Sequence, residues 1–134
     1  MNARRTCVAV RQFRHKFADE PPSTFSPVEF TWEDGSVTTL DVGVDWTLQR
    51  SRRPWTDPYA SVTGEERERL ALQVGTWCEG PTSESLRHVV GQPLLETRRE
   101  LNEVGELAGL HLVFPNATIV ARVNGGELDV SVKE

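Results

Sequence analysis

Two aspartates four residues apart, Asp41 and Asp45, are the first candidates for chemistry in this chain. Paired carboxylates can hold a divalent cation or share acid–base work. Both lie in the run from Leu40 to Leu48, where Leu40, Val42, Val44, Trp46 and Leu48 take one parity and the aspartates the other. On an extended strand, residues four apart sit roughly 13 Å from each other. The pair can cooperate only if Gly43 bends the strand sharply; otherwise both belong to a solvated polar face.

The other reactive types are scattered. His15, His88 and His111 are far apart in sequence, and Cys7 and Cys78 are single, so neither an HxxxH nor a CxxC spacing exists. No metal set and no cofactor is expected from this ligand supply. Cys78 has Glu79 beside it, which disfavours a thiolate, and reads as a packed thiol at the end of a helix. GxSxG, GxxxxGK[ST] and GxGxxG are all absent from the sequence.

A third group is richer. Arg50, Arg52, Arg53, Trp55 and Tyr59 crowd into a loop with prolines at 54 and 58. Arginine and tryptophan are enriched at binding hot spots, and the same residues can stack on a nucleobase. The plainer alternative is a loop that packs on its own sheet with Trp55 at the core edge. These five residues, with Asp41 and Asp45 as a competing acidic face, are the candidate partner-binding set.

Composition narrows the classes. At 134 residues with 37% hydrophobic content the chain is expected to be a single globular domain, 1–134. No apolar run reaches the ~18 residues of a membrane span, and the basic N-terminus lacks an apolar core, so neither a membrane association nor a signal peptide is expected. Two cysteines fit a reducing, cytoplasmic setting. Thirteen of the fifteen basic residues are arginine, from GC-rich codon usage or from planar, bidentate anion recognition. The net charge of −5 argues against a general nucleic-acid binder and favours a neutral or basic partner.

The elements that must position these groups are mostly strands. Cys7 to Phe13 reads as one. Val28, Phe30 and Trp32 alternate with polar residues, Asp34-Gly35 signals a hairpin turn, and the returning strand carries Leu40 to Leu48. Thr63 and Glu66 fit a capping box, with Leu70, Val74 and Trp77 at helical spacing behind it, so a helix is expected from Gly64 to about Val74. Ser83 can cap a second helix over Glu84 to Val90. Leu94 to Val104 fits helix or strand; strand is favoured because residues 102–106 resemble a hairpin loop. Leu110 to Val132 reads as a meander turning at Pro115-Asn116 and Asn124-Gly125-Gly126. Residues 28–48 and 110–132 match at an offset of 82, through a duplication or the shared grammar of strand-turn-strand.

The expected fold is therefore α+β: an antiparallel, hairpin-rich sheet of about six to eight strands with one or two helices packed on one face. The expected function is a small protein-binding module, in its sharpest form an inhibitor or immunity protein that masks a basic toxin. The alternative is a small-molecule-binding or enzymatic domain, with a pocket between sheet and helix and Asp41, Asp45, Trp46 and Arg53 at its mouth. A third reading is nucleic-acid binding through the Arg-Trp loop.

Overall fold

Val28, Phe30 and Trp32 share one face of a strand, and burying that face needs an apolar partner layer. In the computed structural model of the protein that layer is a second sheet. The structure describes residues 5–16, 27–43, 47–56, 64–66, 76–80, 82–124 and 127–133. Among them run nine strands: β1 (Cys7–Lys16), β2 (Val28–Trp32), β3 (Val37–Val42), β4 (Leu48–Ser51), β5 (Thr76–Gly80), β6 (Glu96–Leu101), β7 (Leu107–Val113), β8 (Thr118–Asn124) and β9 (Glu127–Lys133). They form two sheets, ordered β4-β3-β2-β1-β5 and β6-β7-β8-β9, with every pairing antiparallel. The antiparallel, hairpin-rich character expected from the sequence is present, but the strands divide between two sheets instead of gathering in one of six to eight.

The first hairpin closes as its turn residues require. Gly35 takes φ +86° and donates its N–H to the Trp32 carbonyl at 2.9 Å, while the Asp34 carboxylate accepts from the Ser36 N–H. The β6–β7 loop repeats the device with Gly105 at φ +83° and Asn102 Oδ1 accepting from Val104 and Glu106.

The core lies between the sheets. Val28, Phe30, Trp32, Leu40 and Leu48 meet Leu110, Leu112, Phe114, Ile119, Ala121 and Leu128 in one buried cluster. Trp32, 1% exposed, stacks on Phe30 in its own strand and on Phe114 of the other sheet, at centroid distances of 6.0 and 6.3 Å. Its indole N–H donates to the Thr38 hydroxyl at 2.9 Å, which satisfies the polar end of a buried ring.

The helical layer is smaller than expected. The helix Glu84–Arg87 is a single turn whose Ser83 cap accepts from the Leu86 N–H, and it contributes Leu86 with the following Val89 to the core. Residues 64–66 are helical; Thr63 and the rest of the helix expected there lie outside the described residues. Trp77 and Cys78, read from sequence as a helix end, lie in β5, which pairs with β1 from Gln12↔Gly80 to Lys16↔Thr76. Tertiary pairing with the end of the long strand β1 places Trp77 and Cys78 in a strand, while Leu70 and Val74 lie outside the described residues. Leu94 to Val104 resolves as β6 and its loop, as favoured.

One connection matters for the site below. After the helix, the chain crosses beside the N-terminal segment: Cys7 N–H donates to Gln92 O, Gly91 N–H to Cys7 O, and Leu94 N–H to Arg5 O at 2.7 Å. Glu33 N–H donates to Thr6 O at 2.8 Å from the other side. The backbone of Arg5 and Thr6 is thus pinned at the seam between the two sheets.

Candidate functional site

Strand β4 carries an inward parity of Leu48, Arg50 and Arg52 if the alternation is continued past its end. Leu48 is buried in the core, and Arg50 lies opposite Leu40 in register. Two residues on, the core has ended and the inward-facing positions turn cationic. Arg50 and Arg52 there line a cleft of about 310 Å³ with Arg5, Asp34, Ser36, Val37 and Thr38. Arg99 of β6, in the other sheet, lies near enough to act on Arg50. Burial, followed by the like charges of Arg5, Arg52 and Arg99, pushes the Arg50 guanidinium below its ordinary value.

Each wall of the cleft is held in place. Arg5 lies over the Trp32 ring at 4.9 Å and reaches Ser36 Oγ at 3.4 Å. The Ser36 hydroxyl and N–H both donate to Asp34, and these bonds hold its carboxyl below the usual range. Asp34 is therefore ionised and engaged. The Thr38 hydroxyl accepts the Trp32 indole, which leaves its own hydrogen to donate. The cleft thus offers guanidinium and hydroxyl donors around a solvent-open space.

The rest of the candidate set lies elsewhere. After Arg52 the chain folds back across the outer face of the five-stranded sheet. Thr39 Oγ1 donates to Arg53 O at 2.8 Å, and Trp55 N–H donates to Glu29 Oε2 at 2.9 Å. The Trp55 ring, half-buried, stacks on Phe13 at 4.1 Å, and Arg11 covers the Phe13 ring at 4.7 Å while pairing with Glu29. Glu29 is only 3% exposed, so this outer face has its own small polar core. Trp55 serves packing here, and Arg53 is exposed without lining the cleft. Asp41 also faces this side. It is half-buried, accepts from its neighbour Val42 N–H at 2.8 Å, and is pushed upward by burial. Asp45 and Tyr59 lie outside the described residues, as does Trp46. The structure thus brings Arg50 and Arg52 together with each other and with Arg5, Asp34, Ser36, Thr38 and Arg99, none of which the sequence reading had singled out as site residues. The Leu48-x-Arg50-x-Arg52 alternation was a usable signal for one wall; the other walls meet only through sheet packing.

A second polar cluster sits on the outer face of the four-stranded sheet. Glu100 of β6 accepts from Arg122 Nε and Nη2 at 2.8 and 2.7 Å and lies 2.6 Å from His111 Nε2. Those bonds, the Arg122 ones first, push the Glu100 carboxyl down to about 2. The carboxylate lies over Gly109, where an added Cβ would approach it to 2.7 Å. This arrangement clamps β6, β7 and β8 together. Cys7 is a buried free thiol, pushed up to about 11 by burial, and is unsuited to nucleophilic work. Among the described residues no group of three or more His, Cys, Asp or Glu could hold a metal ion. No helix among them is long and apolar enough to cross a membrane. Compared with known proteins, the chain matches no family model, and no curated protein or solved structure matches it at a significant level.

Proposed function

We propose that the protein is a binding module that engages another protein through the arginine-lined cleft at the seam of its two sheets. The observation that carries this reading is charge placement. The chain holds 20 acidic and 15 basic residues, yet Arg5, Arg50 and Arg52 line one cleft in which Asp34 is the single acidic lining residue, and Arg99 of the other sheet adds its positive field at Arg50. Like charges gathered this way raise the energy of the free protein, and an anionic partner group relieves it. An inhibitor that masks a toxin is the sharper form of this proposal. Its cationic cleft would meet an acidic patch on the toxin, while the net negative surface steers a basic one toward it.

Affinity capture from the native host, followed by titration with the captured protein, tests the reading. The Arg50→Glu/Arg52→Glu double variant is expected to bind more than tenfold more weakly, about 1.4 kcal/mol, with Tm nearly unchanged. Unaltered affinity in that variant removes the cleft from the contact. A captured protein whose toxicity the chain suppresses supports the inhibitor form.

A small-molecule site is the second reading. The cleft volume of about 310 Å³ falls at the lower end of ligand pockets, and its donors converge.

A further inference from the structure

We infer that the cleft lined by Arg5, Arg50, Arg52, Ser36 and Thr38 is a binding site for a phosphomonoester dianion. The inference rests on the reading that this cleft is the contact site, and it adds the chemistry of what enters.

Charge comes first. Three guanidiniums and one carboxylate line the cleft, which leaves a surplus of two positive charges. A carboxylate would neutralise one of them. A phosphomonoester carries about −1.5 to −2 at pH 7 and matches the surplus. Arg99 adds a further positive field from the opposite sheet. Asp34 does not already fill the site, because its carboxylate is taken up by the Ser36 N–H and hydroxyl.

The donors agree. Guanidinium groups recognise phosphate oxygens in a planar, bidentate way, and clusters of arginine are a recurring mode of phosphate recognition. The Thr38 hydroxyl is buried and accepts the Trp32 indole, so its hydrogen is directed to another acceptor. Among the described residues the hydroxyl donates to no other group. A phosphate oxygen in the cleft supplies an acceptor.

Access then favours a source. Arg50 and Arg52 are exposed, and the cleft opens to solvent at the rim of the sheets. Such a mouth suits a phosphate presented on another surface, a phosphorylated side chain of the partner, rather than an enclosed metabolite.

The test uses the full chain and the indole N–H resonance of Trp32, which sits behind Thr38 and beneath Arg5. The probes are inorganic phosphate and O-phosphoserine, with sodium chloride at matched ionic strength and L-glutamate as the carboxylate control. Phosphate and phosphoserine are expected to shift the resonance saturably, and chloride and glutamate are not. Arg50→Gln and Arg52→Gln should each weaken phosphoserine at least tenfold. Arg50→Lys, which keeps the charge and loses the planar fork, should lose part of that. Arg53→Gln should bind as the parent does. Amide spectra confirm that each variant is folded. Tighter binding of inorganic phosphate than of phosphoserine keeps the phosphate site and assigns it to the free ion. A response to phosphate no different from that to chloride overturns the proposal, as does equal affinity in folded Arg50→Gln and Arg53→Gln.

The two readings fail separately. Loss of the captured partner in the arginine double variant, with no phosphate binding, keeps the contact and refutes the phosphate. Saturable phosphate binding with an unaltered partner keeps the anion site and refutes the protein contact.

Discussion

Glu100 and Asp41 are two carboxylates whose surroundings push them in opposite directions. Glu100 is held at about 2 against an ordinary 4.5, by Arg122 and then His111. A carboxylate with a depressed folded-state value stabilises the fold above its unfolded value and loses that contribution as pH falls toward the folded one. Glu100→Gln should therefore be less stable than the parent at neutral pH, with the difference shrinking between pH 4.5 and 2; urea melts across that window measure it. Solvent around the partly exposed group screens the effect, so a modest difference is expected. Asp41 has the opposite sign, because burial raises it. Its ionised form costs stability above the folded-state value, and protonation relieves the cost as pH falls. Asp41→Asn keeps an oxygen for the Val42 N–H and should raise Tm at pH 7, with the gain fading in acid. A lower Tm for Asp41→Asn at pH 7 would show a partner for the carboxylate that outweighs its burial.

Glycine and cap positions set local structure at the next scale up. Gly109 sits in β7 with Glu100 Oε2, Ala121 O and Arg122 Cγ at 2.7, 3.2 and 3.2 Å from where a Cβ would be. The carboxylate can swing away, but only by giving up its clamp on Arg122 and His111, and the Ala121 carbonyl cannot. Gly109→Ala should cost about 1–3 kcal/mol in urea denaturation. A parent-like midpoint would mean that the sheet shifts to accept the methyl. In the single-turn helix, Ser83 Oγ accepts from Leu86 N–H, and Leu86 is buried. Ser83→Ala should lose about 0.5–2 kcal/mol and Ser83→Asp little. Equal losses from both would argue for packing rather than capping.

Across the whole molecule, stability depends on the seam between the sheets. The column Phe30, Trp32, Phe114 crosses it, and Arg5 lies over the Trp32 ring where the cleft begins. Trp32→Ala should cost about 3–5 kcal/mol by leaving a cavity between the layers and an unused Thr38 hydroxyl; a Tm close to the parent's would show that the sheets close over the gap. The same substitution should also loosen the cleft, because Arg5 and Thr38 both rest on that ring. The two similar segments, 28–48 and 110–132, fall in different sheets, and Trp32 stacks on Phe114, its counterpart at the offset of 82. Beyond the turn the match slips by one residue, since Val28 pairs with Leu40 but Leu110 pairs with Ala121. The second turn is one residue tighter than the first.

The hairpins were legible in the sequence because their determinants are local. Period-two apolar alternation chooses the buried face, and Asp34-Gly35 with its positive φ chooses the turn. The Ser83 cap and the strand at 96–101 were readable for the same reason, through a side chain two or three residues from its backbone partner. Trp77 misled because its helical spacing behind Leu70 and Val74 is a local signal, and pairing with β1, some 60 residues away in sequence, places it in a strand instead. Division into two sheets was not readable either, since alternation says which face is buried and not what buries it. The candidate site follows the same rule. Arg50 and Arg52 were visible as a charged pair two apart, but their convergence with Arg5 and Arg99 depends on three segments that only meet when one sheet is laid on the other. Charge repulsion and cleft shape are properties of that packing, and no window of the sequence contains them.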